Sequence, residues 1–184
     1  MVAVSGSFDR PMIIDRRRIE IADKSTRGTV QPYHTARELG AQRGQKFIDE
    51  CRRASSFLAA LALQATLQQI QGRTSGLAGS LRVDRCAILT GSGRPSPTLE
   101  ATLGSHAAIH TAEGEFFREI VIHAAESCNL RLRRIREKEL LEIAARELGR
   151  SAADLTSMLN DLGKIIGPPW RQDHKFAALA AWLA

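Results

Sequence analysis

Between Gln45 and Gln71 the residues Phe47, Cys51, Ala54, Leu58, Leu61 and Ala65 recur at alternating steps of four and three. That is one stripe of a 3.6-residue period, and it predicts a long helix with one face against a core. The preceding stretch, Tyr33 to Gly44, reads either as a separate short helix or as a loop. The small-residue run Gly72 to Ser80 that follows reads as a connector.

The rest of the chain alternates short strands with helices. Residues 1–22 read as extended: Val2 and Val4 share a face, Phe8 to Pro11 make a turn, and Ile13, Ile14, Ile19 and Ile21 lie beyond it. Alternation breaks at Asp15 to Arg18, which implies either a bulge or a second turn. Val83 to Thr90 is a short apolar run suited to a central strand. Ser96 and Pro97 then open a helix as N-cap and first helical residue, and a second helix follows Thr111. Leu130 to Ile135 predicts an arginine-bearing strand. Glu137 to Leu148 predicts a helix closed by Gly149. A further helix opens at Ser151, with the stripe Leu155, Met158, Leu159, Leu162, Ile165 and Ile166. The last helix, from about Asp173, carries Phe176, Leu179, Ala180 and Leu183.

At 184 residues the chain suits a single α/β domain over 1–184. Aromatic residues make up 5%, so Ala and Leu carry the apolar load, which favours helix packing over a β-sandwich. No apolar run approaches a membrane span of about 20 residues. The N-terminus lacks the pattern of a signal peptide. Cys51, Cys86 and Cys128 are isolated and odd in number, as expected of buried thiols in a reducing cytoplasm. A net charge of +6 admits nucleic acid or another anionic ligand as partner, and equally an inert basic surface.

Several constellations carry chemistry. Gly91, Ser92, Gly93 and Arg94 stand between a strand and a helix start, where glycines let backbone N–H groups approach an anion and Arg94 adds charge. The plain alternative is an ordinary strand-to-helix turn. His106, His110 and Glu113 are spaced by four and three, and on a continuous helix they share a face, as imidazole and carboxylate ligands of a metal do. Gly104 and Gly114 flank them, however, and Thr111 reads as an N-cap that would break the helix. His123 reads as structural, and His34 carries no signal. Asp173 opens the last helix, most simply as its N-cap. Arg16 to Arg18, Arg52 with Arg53, and Arg131, Arg133 and Arg134 form basic clusters that suit phosphate contacts if they share a face, or solvated edges if they do not.

The order hairpin, long helix, strand, helix, strand, helices resembles the ribonuclease H-like fold. Thr111 to Lys138 and Asp173 to Ala181 are similar to its RuvC-like resolvase branch. The runner-up is a doubly wound α/β domain. The resemblance implies a two-metal site built from carboxylates. Ser5 stands where that family's first-strand Asp belongs, and Thr90 or Ser92 where the central-strand Glu does. Of the two acids on the closing helix, Asp173 matches the first and Phe176 replaces the second. The expectation is a degenerate catalytic centre in a nucleic-acid-associated or scaffold protein. Two rivals stand beside it. One is an enzyme or ligand-binding protein with a site of its own from Arg94, His106, His110, Glu113 and Asp173. The other is a structural or oligomerisation module. No cofactor is legible.

Overall fold

A computed structural model describes residues 1–7, 10–74 and 82–184. Phe8 and Asp9 of the expected first turn, and residues 75–80 of the expected connector, lie outside the described residues. The protein is a mixed α/β structure, with strands β1 (Val2–Ser5), β2 (Met12–Arg16), β3 (Arg85–Thr90) and β4 (Arg131–Arg136). The helices are α1 (Pro32–Leu39), α2 (Ala41–Thr74), α3 (Leu99–Leu103), α4 (His106–Ser127), α5 (Leu140–Leu148), α6 (Ala152–Ile166) and α7 (Gln172–Trp182). None is long and apolar enough to cross a membrane. The described residues group into two compact units where the sequence suggests one domain.

The first unit comprises Met1–Arg18, Gln68–Thr90 and Leu130–Ala184. In it β1 and β2 pair antiparallel, while β3 and β4 pair parallel. The irregularity of the first pair lies opposite Ala3 and Val4, whose partners are Asp15 and Ile13, so Ile14 is the extra residue. The irregularity thus falls just before the expected stretch Asp15 to Arg18, and the strand ends at Arg16, so no second strand through Ile21 forms. Arg16 instead donates to the carbonyl oxygens of Gly167 (2.9 Å) and Pro169 (2.7 Å). β3 has β4 as its ladder partner and forms one of two strands in that sheet, not the expected centre of a larger one.

Helices α5, α6 and α7 cover this unit's core of Val2, Ile135, Leu140, Ala144, Leu155, Leu159, Leu179 and Leu183, and α7 packs on β1 and β3. Gly149 ends α5 in the left-handed conformation, φ 63°, a backbone geometry that costs a side-chain-bearing residue more. Ser151 and Asp154 form the capping box of α6. Of the α6 stripe, Ile165 departs from expectation: it is 83% exposed.

The second unit comprises Ile19–Leu67 and Gly91–Asn129. Its core gathers Ala36, Ile48, Cys51, Ala59, Leu103, Phe116, Ile120 and Ala124. The buried stripe of α2 is therefore rotated from the one that apolar residues mark: Ile48, Cys51, Ser55, Ala59 and Thr66 are inside, and Leu61 is 48% exposed. Thr66 tolerates burial because its hydroxyl donates to the Ala62 carbonyl, 2.7 Å away. Tyr33 to Gly44 resolves into the separate helix α1 and the start of α2, divided at Gly40. The cysteines are free, and burial pushes the Cys51 and Cys86 thiols up, which suits unreactive packing groups.

Candidate metal centre

Ser105, not Thr111, caps α4, accepting from the Ala108 N–H at 3.4 Å. Thr111 lies inside the helix and turns its hydroxyl back to the Ala107 carbonyl, 3.0 Å away. The helix therefore runs unbroken through Gly114, and the i, i+4 spacing sets His106 and His110 side by side. Their Nε2 atoms are 3.0 Å apart, which requires one to carry a proton and the other a lone pair.

The third member of the cluster is His34. Pro32 opens α1, so His34 falls in its first turn, where a backbone N–H has no partner within the helix. Glu113 supplies one. Its Oε1 accepts from the His34 backbone N–H (3.2 Å) and from the His34 ring Nδ1 (2.9 Å). A carboxylate oxygen only accepts, so Nδ1 carries a proton, and in the neutral ring the lone pair is then on Nε2. Glu113 is only 9% exposed, and these contacts satisfy its buried oxygen. It thus orients a histidine and stands outside the group of three imidazoles.

The His34 ring lies edge-on to both neighbours, with centroids 5.5 Å from His106 and 5.0 Å from His110. One ring nitrogen from each of the three comes within 4.8 Å of the others. Two nitrogens bound to one zinc ion lie about 3.3 Å apart, from Zn–N bonds of about 2.0–2.1 Å in a tetrahedral array. His34 escapes a reading by spacing because it stands on another helix. The one local signal is Pro32, which marks the helix start but not the surface that α1 packs against.

The other expected sites take different forms. Gly91 to Arg94 is irregular chain laid against α4, not a tight turn. A Cβ at Gly93 would lie 2.5 Å from Thr111 Cγ2, and one at Gly91 would lie 3.0 Å from Arg118 Nη1. Close approach to a helix thus explains these glycines without an anion. Ser92 and Arg94 are exposed. The helix beyond begins at Leu99 with Thr98 as its cap, accepting from the Ala101 N–H, so Ser96 and Pro97 lie outside it.

Asp173 sits in the first turn of α7, whose N-cap is Arg171. His174 Nδ1 accepts from the Arg171 N–H at 3.1 Å, and Lys175 donates to Asn160 at 2.7 Å, so both neighbours of that turn hold structural contacts. Asp173 belongs to the first unit, whereas Arg94 and the histidine cluster belong to the second. His123 is exposed and pairs with Glu126 at 3.3 Å instead of packing inward.

The arginines of β4 divide between faces. Arg131 and Arg133 alternate with Arg134, so the three do not form one patch. Arg133 is held as a fork on Glu147 (2.7 and 2.6 Å) and also donates to the Leu183 carbonyl. Arg131 lies 3.4 Å from Asp84. Arg17 binds Asp15 and Gln69, and Arg52 binds Glu119 while covering the Phe116 ring. These basic side chains are largely committed to the fold.

No family model, curated protein or solved structure matches the chain.

Proposed function

We propose that this protein binds a divalent transition-metal ion through His34, His106 and His110, with zinc the best fit. The observation that carries this is the convergence of three imidazoles from two helices, with Glu113 fixing the tautomer of one. Histidine ligands in metal sites characteristically donate their second nitrogen to a carboxylate in this way. An all-imidazole set suits zinc, copper or nickel and is a poor match for magnesium or calcium, which take oxygen ligands. The test is calorimetric zinc titration of chelator-treated protein. One equivalent should bind, and His34→Ala, His106→Ala and His110→Ala should each abolish it, while His123→Ala leaves it intact. Failure to bind micromolar zinc, or binding indifferent to His34→Ala, overturns the proposal.

A second reading concerns the first unit: a ribonuclease H-like domain with a degenerate centre, associated with nucleic acid. The antiparallel β1–β2 pair, the parallel β3–β4 pair and the packing of α7 on β1 and β3 support it. Ser5, Thr90 and Phe176 stand in place of acids, so magnesium- or manganese-dependent cleavage of branched DNA or RNA–DNA hybrid is expected to be absent. Robust cleavage lost in Asp173→Asn removes the degenerate-centre reading.

A further inference from the structure

We infer that the metal centre is hydrolytic: its ion carries an exchangeable water and cleaves small activated carboxylic esters. The inference rests on the metal reading above and extends it to a reaction. Structural zinc sites are closed by four protein ligands, whereas catalytic ones have three and leave a position for water or substrate. Among the described residues the cluster has three members, and the Glu113 carboxylate beside it is hydrogen-bonded to His34. His106 and His110 are exposed and His34 is half-buried, so the vacant side of a bound ion faces solvent. Among the described residues no fourth ligand atom joins the three within 4.8 Å, and water is the ligand that would complete the ion's shell.

The chemistry then follows from the ion. A metal-bound water is a potent nucleophile at neutral pH once its proton has passed to solvent. Its oxygen forms a bond to the ester carbonyl carbon, and the carbonyl π pair moves onto oxygen, where the ion stabilises it. Collapse breaks the bond to the leaving oxygen, which takes up the proton that the newly formed carboxylic acid gives to solvent, and a fresh water replaces the carboxylate product. Neither an oxidant nor a further cofactor is needed. The shallow, solvent-facing setting suits small esters with good leaving groups.

The experiment measures hydrolysis of 4-nitrophenyl acetate by zinc-loaded full-length protein, beside chelator-stripped protein and free zinc at equal concentration. Zinc loading should raise the rate at least about tenfold over the sum of the two controls, and zinc readdition after chelation should restore it. His123→Ala should keep the full rate, excluding catalysis by surface imidazole alone. Cobalt-loaded protein titrated with azide should change its visible spectrum as the anion takes the water's place. If calorimetry shows zinc bound but neither rate enhancement nor spectral change occurs, the centre is structural and this inference fails while the metal reading stands. If zinc does not bind, both fall.

Discussion

A single oxygen of Glu113 accepts from both the backbone N–H and the ring Nδ1 of His34, fastening the first turn of α1 to α4. One carboxylate thereby completes a helix terminus and fixes the orientation of the His34 ring. Glu113→Gln preserves shape but replaces the charged acceptor with an amide. Zinc affinity should fall about 10- to 100-fold, the usual effect of losing such an orienting partner. Calorimetry on the variant checks this, and unchanged affinity would show that the carboxylate plays no part.

Zinc should also stabilise the fold, because the three imidazoles converge only in the native state. At a free zinc concentration of 100 times Kd the gain is about 2.7 kcal/mol if the unfolded chain does not bind. Urea unfolding with and without zinc gives the difference, and excess chelator should cancel it.

Gly93 and Thr111 form a steric pair. Gly93→Ala places a methyl 2.5 Å from Thr111 Cγ2 and should cost roughly 1–3 kcal/mol, as overpacking does. Thr111→Ala in the same chain should recover most of the loss. A double-mutant cycle in denaturant measures the coupling, and strict additivity would show that the loop moves aside freely.

Hydrogen bonds from the Ser151 side chain and backbone hold the Asp154 carboxyl below its ordinary value. A lowered carboxyl stabilises the folded state above its unfolded value, and that contribution drains away as pH falls through the lower, folded value. Unfolding of the wild type below the ordinary carboxylate range should therefore show an acid-sensitive component that is reduced in Ser151→Ala. Parallel acid titrations of the two proteins decide it.

Arg131 and Arg133 should differ in any binding to duplex DNA. Arg131 is exposed beside a loosely placed Asp84, so a phosphate contact there would change the slope of log K against log salt by about 0.9 when Arg131→Ala removes it. Arg133→Ala should instead lower stability and leave the slope alone, since its guanidinium is fixed on Glu147 and Leu183. Binding titrations at several salt concentrations, paired with unfolding curves, separate the two.

Local signals proved legible where the physics is local. Ser151 with Asp154, and Gly149 after Leu148, announce helix ends that the structure has, because capping uses residues within a few positions of each other. The inner face of α2 was not legible from apolar residues. Ser55 and Thr66 are buried there, and a hydroxyl satisfied by its own helix competes well with a methyl. The histidine cluster was half legible. His106 and His110 share a helix face by spacing alone, whereas His34 reaches them through the packing of α1 on α4, a relation that no window of sequence contains.

The first unit is drawn from segments that precede, interrupt and follow the second, and this sets an order on synthesis at the ribosome. All of the second unit has been made once Asn129 is added, while the hairpin of β1 and β2 still awaits the segment that covers it. Strand β1 with Val2 and Val4 finds its cover on α7, and Arg16 finds its acceptors at Gly167 and Pro169, only when residues 167–182 have been made. Domains usually mature from the N-terminus during translation. Here residues 1–18 are made before the second unit and α7 after it, so a nascent chain stalled before residue 167 would present the segments of the second unit and an uncovered hairpin to chaperones.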